Sequence, residues 1–213
     1  MANLQRGSGT NGLKPQLKPS TLPTSPAPNP LLAISRDLTL LHPTLRNTVA
    51  ELIHQLNLLE FPFRLFEGYR TPQRQAYLYS QGRTLPGKKV TQAQPWNSYH
   101  QYGMAADIVL FLDGKWTWDQ TGSLGDMWAQ FHQLAHNAGL ELLDFEQPHV
   151  QLAGYELSKL HAGSFPGAGD TGWGTNLYNS IRGWNGVPTA PDIALPVRAV
   201  ITVPSVPAPA PST

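Results

Sequence analysis

The spacing of apolar residues predicts two amphipathic helices, one in each half of the chain. Residues 43–58 form the first, with Pro43 at a first helical position that needs no N–H donor. Apolar residues recur every three or four positions in this helix and form one face, which consists of Leu45, Val49, Leu52 and Leu56. Residues 124–138 form the second helix, which Gly139 ends. Its predicted core face consists of Met127, Trp128, Phe131, Leu134 and Ala135.

Two further helices are predicted from boundary signals and periodicity. Thr71 suits the N-cap and Pro72 the first turn of a helix that Gly82 ends. Residues 83–96 contain Pro86-Gly87 and Pro95 and predict a long loop. A closing helix that packs on the domain is predicted by the helical spacing of Leu177, Ile181 and Trp184.

Short apolar runs between these helices predict strands. One run covers residues 61–66, another covers 107–112, and a third covers about 140–145. Asp113-Gly114 is a strong hairpin signal, so residues 115–118 form the return strand. Because the strands pair through a hairpin and show no regular βαβ alternation, the sequence predicts an α+β fold with an antiparallel sheet.

The prolines and tryptophans divide the chain into a folded middle and two tails. Thirteen of the 20 prolines lie in residues 1–30 and 188–213, whereas all six tryptophans lie between these segments. Segments without aromatic residues bury too little apolar surface to offset the entropy lost on ordering. We therefore expect disordered tails over 1–30 and 188–213 and one domain over residues 31–187.

Charge and cysteine content exclude several classes of function. Arg6, Lys14 and Lys18 give the N-terminal tail +3, so the rest of a chain of net charge +1 carries about −2. That balance offers no basic stripe and argues against nucleic-acid binding. The chain has no cysteine, so any metal ion must be held by His, Asp or Glu. No apolar run is long enough to cross a membrane.

Two short segments carry candidate metal chemistry. His100 and Asp107 lie in the first, and Glu146 and His149 lie in the second, about forty residues later. Two imidazoles and one carboxylate are a ligand set of catalytic zinc, which leaves a fourth position open for water. Glu146 is close to His149 in the chain and is a candidate base for that water.

Spacing alone leaves two interpretations of these residues open. Positions seven or three apart in a regular strand face opposite sides of the sheet. A shared site therefore requires a kink at Gly103 and a break at Pro148. Without them, His100 is a loop histidine, Asp107 caps a turn and His149 lies on the sheet surface.

The same motifs resemble the zinc D,D-carboxypeptidase and L-alanyl-D-glutamate endopeptidase family of peptidoglycan hydrolases, the M15 peptidases. Residues 98–107 match Ser-x-His-x-x-Gly-x-Ala-x-Asp, and residues 146–149 match acid-x-Pro-His. A Gly-Tyr-Arg-Thr element stands at 68–71, and residues 82–91 are similar to the endolysin-like branch. The similarity runs from about residue 35 to residue 152.

This resemblance implies a role for each matched residue. It places Zn²⁺ on His100, Asp107 and His149. Glu146 would be the general base and then the acid that protonates the leaving amine. Arg70 would stabilise the developing oxyanion with its fork of donors, and Ser98 would orient a ligand or the substrate.

The resemblance also implies what the protein acts on. We expect a monomeric zinc endopeptidase that cuts peptidoglycan stem peptides, is made in the cytoplasm without a signal peptide, and reaches the wall after release. Alternatives are a D-alanyl-D-alanine carboxypeptidase or dipeptidase, or a zinc-stabilised binding or virion module without turnover. The branch's Trp-Gly-Gly-x-Trp stretch is replaced here by residues 140–145, and its usual Asp by Glu146.

A second histidine pair is a weaker metal candidate. His132 and His136 have the i, i+4 spacing of a zinc helix, but Gln133 stands where the acid should be. Both imidazoles lie roughly 100–140° from the apolar stripe of their helix, so we expect them on a solvated face.

Other polar and aromatic residues also have two interpretations. Glu67 and Asp144 are alternative acids, although polar positions in short strands account for both. Exposed Trp173, Tyr178 and Trp184 would suit glycan binding, but a closing helix packed on the domain accounts for them more simply.

Overall fold

Five antiparallel strands form one sheet in the computed structural model, which describes residues 29–193. The strands are β1 (Phe63–Glu67), β2 (Ala105–Leu112), β3 (Lys115–Thr117), β4 (Leu140–Leu142) and β5 (His149–Leu152). Their order is β1-β2-β5-β4, and β3 also pairs with β2. The predicted α+β fold with an antiparallel sheet is confirmed.

Five α-helices surround this sheet, with short 3-10 helices at Pro30–Leu32, Leu38–Leu40 and Tyr99–Tyr102. The α-helices are α1 (Pro43–Leu58), α2 (Pro72–Ser80), α3 (Ser123–Asn137), α4 (Leu157–His161) and α5 (Thr171–Gly183). The predicted bounds of α1 are confirmed, and those of α3 are shifted by one residue. Thr71 caps α2 as predicted, because its side chain accepts a hydrogen bond from the N–H of Arg74.

The core lies between one face of the sheet and helices α1 and α3. All four residues of the predicted α1 stripe are buried. Phe63 of β1 contacts Trp128 and Phe131 of α3, with ring centroids 5.0 Å apart in both pairs. Ile108 and Leu110 of β2 are fully buried on this face. The opposite face of β2 is therefore free to carry polar side chains.

The closing helix packs on the domain as predicted. Trp173 of α5 is buried and donates from its indole N–H to the carbonyl of Tyr102 at 2.7 Å. Tyr178 and Trp184 are partly buried against the core. The chain continues to pack beyond residue 187, because Asp192 N–H donates to the carbonyl of His161 and Ile193 contacts the core.

Some predicted boundaries differ from the structure. β1 begins at Phe63 rather than at residue 61, because Pro62 has no N–H to donate and offers only its carbonyl, which accepts from Phe111. β4 ends at Leu142, and the chain to residue 148 forms turns. Most of the tails predicted over residues 1–30 and 188–213, namely residues 1–28 and 194–213, lies outside the described residues. Within residues 29–193, no helix is both long enough and apolar enough to cross a membrane.

Candidate metal centre

Three of the predicted site residues meet at one point on the polar face of the sheet. The metal-binding atoms of His100, Asp107 and His149 all lie within 4.8 Å of one another. Each residue is at least nine-tenths buried. Asp107 of β2 lies directly opposite His149 of β5 in the strand register, so the sheet itself brings these two side chains together.

A kink places His100 against the two strand residues. His100 lies in the 3-10 helix Tyr99–Tyr102, and Ser98 Oγ accepts its backbone N–H at 3.4 Å. Gly103 then takes a left-handed conformation with φ +65°, which turns the chain into β2. A Cβ on Gly103 would lie 2.6 Å from the carbonyl oxygen of Leu40. The predicted role of Gly103 as a kink is confirmed.

Hydrogen bonds behind the two imidazoles determine which nitrogen faces the site. His100 Nδ1–H donates to the carbonyl of Gly68 at 2.7 Å, and His149 Nε2–H donates to Gln151 Oε1 at 3.0 Å. The other nitrogen of each neutral ring is then an acceptor. These nitrogens lie 3.3 Å (His100) and 3.4 Å (His149) from Asp107 Oδ1. Three acceptors this close require a cation between them, either protons or a metal ion.

The geometry fits a zinc ion. Tetrahedral bonds of about 2.0–2.1 Å place ligand atoms roughly 3.3–3.4 Å apart, close to the 3.3 and 3.4 Å that separate the imidazole nitrogens from Asp107 Oδ1. His149 Nδ1 is also buried without a hydrogen-bond partner. A metal ion would give this nitrogen the partner that a buried polar atom needs.

The second oxygen of Asp107 is bound by an arginine. Arg70 Nη2 donates to Asp107 Oδ2 at 3.1 Å and to Glu67 Oε2 at 2.7 Å. Arg70 Nη1 donates to Gln75 Oε1 at 3.1 Å. Burial disfavours the charged form of Asp107, but the imidazoles and Arg70 outweigh it and hold the pKa of this carboxyl well below its usual value.

Glu67 completes an ion-pair network that the sequence-based interpretation missed. Its carboxylate is buried and accepts from both Arg70 and Arg74. Burial raises the pKa of Glu67, but the opposing effect of Arg70 and Arg74 is larger, so the net shift of this pKa is downward. Glu67 is therefore a strand residue, as predicted, but one that anchors Arg70. Its position three residues before Arg70 was the available signal.

A cleft of about 500 Å³ opens next to the metal-binding atoms. Ser98, Glu146, His149 and Gln151 line it, and the loop at 89–93 forms part of one wall. Glu146 is exposed, and no described residue lies within hydrogen-bonding distance of its carboxylate. The turn that presents it is closed by His149 N–H, which donates to the Glu146 carbonyl at 3.0 Å.

Arg70 does not line this cleft. Both terminal nitrogens of its guanidinium are bound to Glu67, Asp107 and Gln75, so Arg70 lies behind Asp107. The oxyanion contact that the resemblance implies stays a prediction. Gln151 is a cleft residue that the sequence-based interpretation missed, although its position two residues after His149 in a strand puts both side chains on one face.

The second histidine pair is not part of this centre. His136 is exposed, as predicted. His132 is half-buried against Trp128 and Phe131, and its Nε2–H donates to the carbonyl of Gln147 at 2.9 Å. The expectation of a solvated face is therefore wrong for His132, because the loop before β5 covers it. Among the described residues, His100, Asp107 and His149 are the only group of three or more candidate ligands close enough to share a metal ion.

Comparisons with known proteins place this centre in a sequence family. Residues 38–165 match the family described as VanY, D-alanyl-D-alanine carboxypeptidase. The peptidoglycan L-alanyl-D-glutamate endopeptidase CwlK of Bacillus subtilis (strain 168) is 39% identical over 82 residues, 35% of this chain. The match spans about half (48%) of the length of that relative.

Two solved structures are also similar to the chain. An L,D-carboxypeptidase, DacB from Streptococcus pneumoniae, is 22% identical with a TM-score of 0.43, covering 56% of this chain and 70% of that one. The L-Ala D-Glu endopeptidase ChiX of Serratia marcescens is 24% identical with a TM-score of 0.40, covering 55% of this chain and 83% of that one.

Proposed function

Since the chain belongs to the VanY D-alanyl-D-alanine carboxypeptidase family, we propose that it is a zinc-dependent peptidoglycan hydrolase that cleaves stem peptides as L-alanyl-D-glutamate endopeptidases do. The observation that carries the proposal is the convergence of His100, Asp107 and His149 beside a cleft that Glu146 lines. Two imidazoles, one carboxylate and an open side are what a catalytic zinc site needs.

Zinc and Glu146 divide the chemistry of peptide hydrolysis between them. A bound zinc ion would polarise the scissile carbonyl and lower the pKa of the attacking water to about 7. Glu146 accepts the proton of the attacking water and then delivers it to the nitrogen of the leaving amine. Its carboxylate is suited to this role because it lies in the cleft and has no competing hydrogen bond from the described residues.

Arg70 and Ser98 support the reaction from two sides. Arg70 places a positive charge behind Asp107 and is the donor we assign to the developing oxyanion. Direct contact with the scissile carbonyl requires the guanidinium to move towards the cleft when substrate binds, because Arg70 does not line it. Ser98 lines the cleft and accepts the backbone N–H of His100, so it positions that ligand and faces the substrate.

The choice of scissile bond rests on the curated relative and on the shape of the site. CwlK, named as an L-alanyl-D-glutamate endopeptidase, is 39% identical over the matched region, which favours this activity. An open cleft also accommodates a peptide that continues on both sides of the scissile bond. We therefore assign the L-alanyl-D-glutamate bond of the stem peptide as the target, and we propose that the enzyme acts as a monomer.

A D-alanyl-D-alanine carboxypeptidase is the second candidate. The family description names that activity, and Lys89 lies on the wall of the cleft as a cation that suits a free terminal carboxylate. A zinc-stabilised module without turnover is less well supported, since a purely structural site has no use for the unpaired carboxylate of Glu146 in an open cleft.

Digestion of purified peptidoglycan, with and without a chelator, tests these proposals. Mass spectrometry of the products identifies the new termini. New N-terminal D-glutamate supports the endopeptidase, whereas released D-alanine supports the carboxypeptidase. The absence of cleavage by the zinc-loaded protein would refute both activities and leave the module without turnover.

A further inference from the structure

Gln151 connects the metal centre to the cleft. It lies in β5 two residues after His149, so both side chains project from the same face of the sheet. The side chain is 4% exposed, yet it lines the cleft beside His149. A buried carboxamide in this position must satisfy its polar atoms through His149, the sheet or a bound ligand.

The bond with His149 determines how the carboxamide is oriented. His149 Nε2 lies 3.0 Å from Gln151 Oε1. When His149 Nδ1 faces a metal ion, Nε2 carries the ring proton and only a carboxamide oxygen can accept it. The Gln151 NH₂ group then points away from His149. No described residue supplies an acceptor for this NH₂ group, and the cleft is adjacent to it.

We propose that Gln151 both positions the ligand His149 and binds substrate. Its oxygen holds His149 in the Nε2–H tautomer, which keeps the Nδ1 lone pair on the metal. Its NH₂ donates to an acceptor oxygen of the stem peptide next to the scissile bond. The inference rests on the proposed function and adds a substrate contact to that site. Outer partners of this kind commonly change metal affinity by 10- to 100-fold when they are removed.

Stem peptides offer two acceptors of this chemistry at the scissile bond. One is a backbone carbonyl oxygen, and the other is the α-carboxylate of the D-glutamate that follows the bond. A hydrogen bond to a carboxylate is stronger than one to a neutral carbonyl. A substrate with D-glutamate at this position and one with its α-amide therefore distinguish the carboxylate from the carbonyl as the acceptor.

Two substitutions separate the roles of the carboxamide. Gln151→Glu keeps an oxygen that accepts from His149 Nε2–H but removes the NH₂ donor. Gln151→Leu removes both groups. Gln130→Leu is the matched control, because Gln130 is exposed on α3 and makes no side-chain hydrogen bond in the described part of the chain.

Zinc affinity, measured by competition with a chromophoric chelator, tests the positioning role without any turnover. We expect Gln151→Leu to lose about 10- to 100-fold in affinity, and we expect Gln151→Glu and Gln130→Leu to keep it. Thermal unfolding of the metal-free variants checks that each one is folded. Unchanged affinity in folded Gln151→Leu would overturn the positioning role.

Steady-state kinetics on the zinc-loaded proteins test the substrate contact. We expect Gln151→Glu to raise KM more than it lowers kcat. If the acceptor is the carboxylate, the rise in KM should be larger for the substrate with D-glutamate than for the substrate with its α-amide. An equal rise for both substrates assigns the carbonyl. An unchanged KM would overturn the contact. If the wild-type protein neither binds zinc nor cleaves, the proposed function fails. If the wild-type protein does both and the Gln151 variants match it, this inference alone fails.

Discussion

Arg70 Nη2 donates to Asp107 Oδ2 at 3.1 Å, while the other oxygen of Asp107 faces both imidazoles of the candidate metal centre. One carboxylate therefore directs one oxygen to the two imidazoles and the other oxygen to the arginine. This arrangement keeps Asp107 charged in a buried position, since an unpaired buried carboxylate would otherwise become protonated. Arg70 is therefore a direct hydrogen-bond partner of one candidate ligand, Asp107.

Replacement of Arg70 by lysine tests this arrangement. A lysine ammonium has no planar fork and cannot contact Glu67, Gln75 and Asp107 as the guanidinium does. We expect Arg70→Lys to lower zinc affinity by about 10- to 100-fold and to lower kcat as well. Isothermal titration measures the affinity. Arg182→Lys on the exposed surface of α5 is the control, and equal affinity in both variants would contradict the assignment.

Replacement of Glu146 by glutamine separates catalysis from metal binding. The amide keeps the size of the side chain but cannot accept the proton of the attacking water. We expect Glu146→Gln to lower kcat by about 10²- to 10⁴-fold while zinc affinity stays at the wild-type value. Asp144→Asn, an exposed acid in the same loop, should stay fully active. Full activity of Glu146→Gln would disprove its role as the base.

Zinc binding should stabilise the folded protein. An ion that binds only the folded state at 100 times its Kd adds about 2.7 kcal/mol to the free energy of unfolding. We expect this gain in wild-type protein, and we expect it to vanish in Asp107→Asn. Urea unfolding with zinc or with chelator measures it. His136→Ala should keep the gain, and its loss there would instead implicate the pair on α3.

The buried Glu67 carboxylate should make stability depend on pH in the acid range. Its pKa in the folded state is lower than the value of about 4.3 in an unfolded chain. The stabilisation by Glu67 is therefore fully present above about pH 4.3 and is lost as the pH falls through the folded pKa.

Glu67→Gln measures this contribution. The variant leaves Arg70 and Arg74 without their shared anion, and breaking a buried ion pair costs about 3–5 kcal/mol. We expect a loss of this size at neutral pH that shrinks below about pH 4.3. Urea unfolding in the presence of chelator removes any contribution from metal. A loss that is the same at every pH would contradict the ion-pair explanation.

Gly103 should tolerate no side chain. An alanine there takes φ +65°, at a cost of roughly 1–2 kcal/mol, and its Cβ also meets the Leu40 carbonyl oxygen at 2.6 Å. We expect Gly103→Ala to destabilise the protein by about 2–5 kcal/mol in total. Gly139→Ala has a similar φ of +79° and open space, so it should show only the backbone cost. Equal losses in both variants would show that the contact with Leu40 is unimportant.

Local signals in the sequence were sufficient for most helices. The bounds of α1 follow from Pro43 and from an apolar stripe of four residues, and all of these are near neighbours in the chain. The caps at Thr71 and the turn at Gly103 are equally local. Strand ends were less predictable, because a strand ends where its partner ends, and the partner lies elsewhere in the chain.

Residue types and family motifs selected the residues of the candidate site. They selected His100, Asp107, His149 and Glu146 as the residues of interest, and the structure brings the first three together. The motifs did not indicate that Arg70 is bound to Glu67 and Asp107, or that Gln151 is bound to His149. Which residues become hydrogen-bond partners depends on how their side chains are oriented within a buried network.

Local sequence patterns thus predicted four of the five α-helices, the α+β class and the kinds of side chain available for metal chemistry. The pairing of Asp107 with His149 across two strands, and the turn of His100 towards Asp107, became visible in the folded chain. This difference arises because helix periodicity and capping depend on residues a few positions apart. Strand register and buried hydrogen bonds depend instead on how distant segments pack into one core.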